Sequence, residues 1–214
     1  PDYGLHAAIL TPTIDLSAII QMPTFNRKSF EYNESSIPLN GRIWYPTNNS
    51  GPYPLVLMVH GNHISTDFSE IGYKYLGEML SSQGFIAVSI DENFLNIAPS
   101  FSSTKYGKIS KLKKYGFNSK RGPEFIARAM IMLETLKQFR LWNEKKTNLF
   151  YNRIDLSNVG LMGHSRGGEA IVIAYLLNKL TFLPDYPSDV LLKDYNFGIK
   201  ALFDIRMQKT EYFI

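Results

Sequence analysis

The sequence predicts an α/β fold, a mostly parallel sheet flanked by helices. Three observations predict it. Leu55 to Val59 (LVLMV) and Phe85 to Ile90 (FIAVSI) are continuous apolar runs of strand length, the pattern of strands buried on both faces. An amphipathic helical pattern separates them, and strand, helix, strand in that order is a right-handed βαβ unit. Val159 to Met162 is a further apolar strand that passes through a glycine-rich turn straight into a long apolar helix.

A chain of 214 residues is long enough for one domain with a sizeable core and short for two, so residues 1–214 are read as a single domain. Hydrophobic content of 44% with 20% charged residues fits a soluble globular chain. No apolar run approaches the roughly 18 residues that span a bilayer. The composition leaves cytoplasmic and secreted compartments equally open. With no cysteine, disulfides and thiolate metal sites are excluded. The chain begins at Pro1 rather than Met, which leaves room for a leader ahead of it.

Residues 1–25 lack clear periodicity and read as an N-terminal arm, with a strand near Ser17 to Met22. Phe30 to Tyr32 and Leu39 to Tyr45 read as an antiparallel pair near a sheet edge, the second alternating apolar and polar residues. Pro46 to Pro54 is a surface loop by its Asn, Ser, Gly and Pro content. Phe68 to Ser82 predicts a helix with Ile71, Tyr75, Leu76, Met79 and Leu80 on its buried face, ended by Gly84. Pro123 to Trp142 predicts a long helix, with Pro123 in its first turn and Phe125, Ile126, Ala129, Met130, Leu133, Leu136 and Leu141 inward. Ile199 to Phe203 predicts another strand with Asp204 at its end, and Thr210 to Ile214 a possible further one. Asp185, Asp189 and Asp194 read as loop residues.

Gly163-His164-Ser165-Arg166-Gly167 sits at the turn between the third apolar strand and its helix, and matches G-x-S-x-G. A serine held between strand and helix takes a strained backbone that exposes its Oγ above the sheet edge. The residues two before and two after it approach each other, so both must be small, as Gly163 and Gly167 are. Gly168 lets the helix pack close to the sheet. The Arg166 N–H lies at a helix N-terminus, where it points at a developing oxyanion. Upstream, LVLMV ends in His60-Gly61-Asn62-His63. Gly61 lets backbone approach a ligand, and Asn62 is the candidate for a second oxyanion donor. His60 reads as a structural buried histidine. His63 reads equally as a pocket wall and as a surface residue. A metal pair of His60 and His63 lacks a carboxylate at useful spacing, and no cofactor is implied.

Residues 93–123 form a basic insertion at the carboxyl end of a strand, the face where ligands bind in open α/β sheets. Between Glu92 and Glu124 there is no acidic residue and there are seven basic ones: Lys105, Lys108, Lys111, Lys113, Lys114, Lys120 and Arg121. The net charge of +4 therefore leaves −3 for the rest of the chain. A solvated loop is the favoured reading. The alternative is weak contact with a membrane or anionic surface through Lys105, Lys108, Lys111, Lys113 and Lys114. Aromatics between the lysines suit single-stranded nucleic acid, but nothing else in the chain supports that partner.

With PLVLMVHGNH, GFIAVSIDENFLN and VGLMGHSRGGEA in register, residues 29–205 resemble an α/β-hydrolase. The sequence is most similar to the small serine esterases that include dienelactone-hydrolase-like, platelet-activating-factor-acetylhydrolase-like and chlorophyllase-like proteins. The resemblance implies Ser165 as nucleophile, with the backbone N–H groups of Arg166 and Asn62 as the oxyanion hole. It implies cleavage of a small-molecule or lipid carboxylic ester through an acyl-enzyme. Members of the family carry the triad in the order Ser, acid, His. Here the histidines are His6, His60, His63 and His164, and none follows Ser165. The acid and histidine are therefore expected beyond Ile214, in a sheet that this chain leaves incomplete on its C-terminal side. Asp204 as the acid is the weaker possibility. The competing reading is a non-catalytic α/β-hydrolase-fold binding or scaffold module.

Overall fold

A computed structural model describes residues 1–7, 9–20, 30–48, 51–96, 122–183, 192 and 194–205. Nine strands are seen among them: β1 (Asp2–Gly4), β2 (Ile9–Leu10), β3 (Thr13–Ile14), β4 (Ile37–Pro38), β5 (Asn40–Trp44), β6 (Tyr53–Val59), β7 (Ile86–Asp91), β8 (Ile154–His164) and β9 (Ile199–Ile205). The helices are α1 (Lys74–Ser82), α2 (Gly122–Glu144) and α3 (Arg166–Leu177), with single 3₁₀ turns at Ser69–Tyr73 and Asn93–Leu95. Seven strands form one sheet in the order β2-β1-β5-β7-β6-β8-β9. Strands β7, β6, β8 and β9 are mutually parallel, and β5 joins β7 antiparallel. This is the predicted α/β architecture.

The period of two along each strand divides the core. Leu55, Leu57 and Val59 of β6, with Ile86, Val88 and Ile90 of β7, face the main cluster with α2 and α3. Met58, Ala87 and Met162 point the other way, against Trp44, Val56, Leu76 and Leu80. Both faces of the central strands are thus buried, which is why their sequences are apolar without alternation. Helix α2 is buried nearly all round over its first three turns, from Phe125 to Leu133. Gly84, at φ 87°, ends the α1 segment as predicted.

The chain enters the parallel part of the sheet at β6, crosses to β7 on one side, then returns past β6 to β8 on the other. The connections diverge at the β6–β8 boundary, and such a switch point opens a crevice at the carboxyl ends of the strands. Register aligns those ends: Val59 pairs with Ile90 on one side and with Gly163 on the other. The loops after β6, β7 and β8 therefore leave the sheet at one level.

Several local expectations are corrected. Ser17 to Ile20, the described part of the expected arm strand, is a turn, anchored by buried Leu16, Ile19 and Ile20. Phe30 to Tyr32 is not a strand; Phe30 and Tyr32 pack edge-on against Phe94 instead. Strand β5 lies inside the sheet, because three-residue β1 covers its outer side. On the α1 segment, Ile71, Tyr75 and Met79 are exposed. Leu76 and Leu80 face the sheet as predicted, and between them the helix approaches closest through Gly77, where a Cβ would strike the Trp44 ring. Leu141 is exposed at the end of α2. Asp204 lies within β9, opposite Gly163, rather than beyond the strand. Asp194 is an exposed loop residue at φ 63°. Asp185, Asp189, the possible strand at Thr210 to Ile214 and all seven basic residues of the insertion lie outside the described residues. Among the described residues, no helix is long and apolar enough to cross a membrane.

Candidate active site

Ser165 stands between the last residue of β8 and the first of α3, at φ 53° and ψ −114°. Only a backbone over-determined by its surroundings holds a non-glycine residue there. Three contacts do so. The Ser165 N–H donates to the Ile205 carbonyl of β9 at 2.9 Å. The Gly168 N–H donates to the Ser165 carbonyl at 3.0 Å. The turn is also compressed: a Cβ on Gly163 would collide with the Gly167 backbone, and one on Gly167 would lie 2.6 Å from the Val59 carbonyl oxygen. Both glycines predicted to be small must be glycine. Serine commonly caps a helix N-terminus with its hydroxyl, yet Ser165 makes no such bond to α3 and its side chain is exposed.

The loop after β6 meets this turn. A Cβ on Gly61 would lie 2.9 Å from Ser165 Cβ and 2.9 Å from His164 Nδ1. Gly61 is therefore the residue that lets the loop pass beside Ser165, and it brings half-buried Asn62 to the same place. Arg166 begins α3, so its backbone N–H has no intrahelical acceptor. The structure thus brings Ser165, Arg166 and the Gly61-Asn62 segment together at the switch point.

His60 has the structural role predicted for it. Its Nδ1–H donates to the Gly61 carbonyl at 2.8 Å, and its Nε2 accepts from the Glu92 N–H at 3.0 Å. That pairing fixes the neutral tautomer. Burial, reinforced by the positive charge of Arg128, lowers its pKa to about 3. His63 is exposed and lines a cleft of about 360 Å³ with His60, Asp67, Phe68, Ser69, Tyr73 and His164. The His63 and His164 rings are nearly parallel, at 16° with centroids 6.3 Å apart. His63 is therefore the pocket-wall alternative. Among the described residues, no group of three or more His, Asp or Glu side chains could hold a metal ion.

Behind the turn lies a charged cluster that sequence reasoning missed. The Arg166 guanidinium Nη1 donates to both Glu124 oxygens, at 2.9 and 3.0 Å. Arg128, fully buried, donates through Nε to Glu124 Oε1 at 3.2 Å, through Nη1 to Glu92 Oε2 at 2.9 Å and through Nη2 to Asn96 Oδ1 at 3.0 Å. Desolvation pushes the Glu92 carboxyl up to about 8, against the pull of Arg128. Among the described residues its Oε1 has no hydrogen-bond partner. The one sequence signal was the i, i+4 spacing of Glu124 and Arg128.

No family model and no curated protein matches this chain. Among solved structures, it is similar to the crystal structure of a dienelactone hydrolase-like promiscuous phosphotriesterase from metagenomic libraries. The two share 16% identity with a TM-score of 0.43, over 78% of this chain and 53% of that one. The chain thus spans about half the length of that solved structure.

Proposed function

We propose that this chain carries the nucleophile of a serine hydrolase that cleaves small-molecule or lipid carboxylic esters through an acyl-enzyme on Ser165. The observation that carries the reading is the Ser165 backbone. A strained, exposed serine at a strand-to-helix turn, with its hydroxyl not used as a cap, is what a nucleophile elbow needs. In this reading Oγ attacks the ester carbonyl. The carbonyl oxygen becomes an oxyanion that accepts hydrogen bonds from the Arg166 and Asn62 backbone N–H groups. The alcohol leaves, and water then releases the acid.

The proton from Oγ goes to a histidine that, by the resemblance, follows an acid later in the chain than Ser165. His60 does not serve, because both its ring nitrogens are engaged and it is buried. His63 and His164 line the cleft they share with His60 and Tyr73. No cofactor takes part.

The test is Ser165→Ala in the full-length protein. Ester hydrolysis and covalent labelling by a fluorophosphonate are both expected to disappear. Turnover retained by that variant would sink the assignment.

A further inference from the structure

The cluster behind the elbow joins three elements in series. Glu92 and Asn96 follow β7, Glu124 and Arg128 lie on α2, and Arg166 is the first residue of α3. Its members become steadily more accessible along the series: the Glu92 and Arg128 side chains are fully buried, Glu124 is 2% exposed and Arg166 is 16% exposed. Arg166 is also the residue that follows Ser165, so its side chain and its N–H leave the same backbone unit.

We propose that Glu124 is a positioning residue, which fixes the direction of the Arg166 backbone N–H by holding the Arg166 guanidinium. The inference rests on the serine-hydrolase reading above. First turns of helices fray. Here the Ser165 carbonyl, in the same peptide plane as the Arg166 N–H, accepts from the Gly168 N–H, and the Arg166 side chain anchors the other side of that N–H. The side-chain tie is short and double, since one guanidinium nitrogen meets both Glu124 oxygens. Glu124 in turn cannot swing, because Arg128 Nε holds Oε1 and Arg128 is itself held by Glu92 and Asn96. A donor aimed in advance at the oxyanion works without reorganising during the reaction, and a misplacement of about 1 Å is enough to cost about a hundredfold in rate. The side chain thus acts through the backbone of its own residue and touches no substrate.

A purely structural ion pair makes a different prediction from a positioning one. Removing Glu124 outright leaves the buried Arg128 Nε without its carboxylate acceptor, so Glu124→Ala reports mainly on folding. Arg166→Met is the cleaner variant: it keeps the backbone N–H and leaves Glu124 paired with Arg128. In the full-length protein it should lower kcat roughly 10- to 100-fold with KM nearly unchanged, the signature of an interaction made in the transition state. Fluorophosphonate labelling of Ser165 should slow in parallel. Arg166→Lys, which restores a cation opposite Glu124, should recover much of the loss. Glu124→Gln, with Arg166 intact, should show the same fall in kcat, and it carries the test if Arg166→Met does not fold. Wild-type kcat and labelling in Arg166→Met or Glu124→Gln, in a protein whose wild type is active, would overturn the inference alone. A wild type that neither turns over ester nor labels at Ser165 would overturn the hydrolase reading, and the inference with it.

Discussion

Gly163 and Gly167 touch across the turn that Ser165 occupies. A Cβ on Gly163 would enter the space of the Gly167 carbonyl group, and a Cβ on Gly167 would lie 2.6 Å from the Val59 carbonyl oxygen and 2.9 Å from that of His60. The elbow is therefore held by backbone against backbone, with no flexible side chain to give way.

Gly163→Ala should accordingly destabilise the fold by about 2 kcal/mol or more, since a backbone collision has no cheap relief. Gly84→Ala is the control. Gly84 sits at φ 87° with open space where its Cβ would go. Only the backbone preference is lost there, at about 1 kcal/mol. Urea denaturation of both variants checks the ranking, and a Gly163→Ala protein as stable as Gly84→Ala would contradict the packed elbow.

The strain at Ser165 has its own signature. Glycine accepts φ 53°, ψ −114° and alanine does not. Ser165→Gly should be more stable than Ser165→Ala by about 1 kcal/mol, within the range of about 1–3 kcal/mol that such backbone positions store. Glycine normally destabilises relative to alanine, so the inverted order is diagnostic. Equal melting temperatures, or the ordinary order, would remove the strained backbone as support for the assignment.

Glu92 makes stability depend on pH. Its folded pKa, about 8, lies above its ordinary 4.5 because burial disfavours the anion. Between those values the folded state binds more protons than the unfolded state, so stability falls as pH rises. The contribution is fully present below about pH 4.5 and lost by about pH 8, with a limiting slope of about 1.4 kcal/mol per pH unit. Glu92→Gln should flatten that slope. Thermal melts of both proteins across pH 5 to 8 decide it, and an unchanged slope would show that Glu92 is not its source.

His60 acts in the opposite direction. Its folded pKa, about 3, lies below its ordinary 6.5. As pH falls from 6.5 toward 3 the unfolded state takes up a proton that the folded state refuses, and stability drops. Nuclear magnetic resonance titration of the imidazole should show no protonation down to pH 5. A His60 that titrates near 6 would mean that the imidazole is not buried beside Arg128 as the structure places it.

The elbow was legible in the sequence because its chemistry is local. Five consecutive residues must satisfy one turn, and two of them have no alternative to glycine. The central strands were legible because burial on both faces leaves only apolar residues. The misreadings share a different cause. Residue β5 partners such as Asp2 and Tyr3 belong to a strand too short to leave a period, so an interior strand looked like an edge. On the α1 segment Leu76 and Leu80 pack on the sheet as their spacing predicts, while Ile71, Tyr75 and Met79 are exposed, because the close approach is made by a glycine under Trp44. The charged cluster joins Arg128 to Glu92 across 36 positions and Arg166 to Glu124 across 42. No periodicity records partners at that distance; only folding brings them together.

The pairing of β6 with both β7 and β8 also sets a timetable. Leu55 meets Ile86 about thirty residues later, but Tyr53 meets Ile154 only after about a hundred. Closing so long a loop before its contacts can repay the lost entropy makes this ladder slow to form. During synthesis LVLMV therefore waits with one edge open until β8 has emerged, and an apolar strand in that condition invites pairing with other chains. The segment that places Gly61 beside Ser165 is thus the one whose exposure a nascent chain must survive longest, and holdase chaperones should bind there before β8 is made.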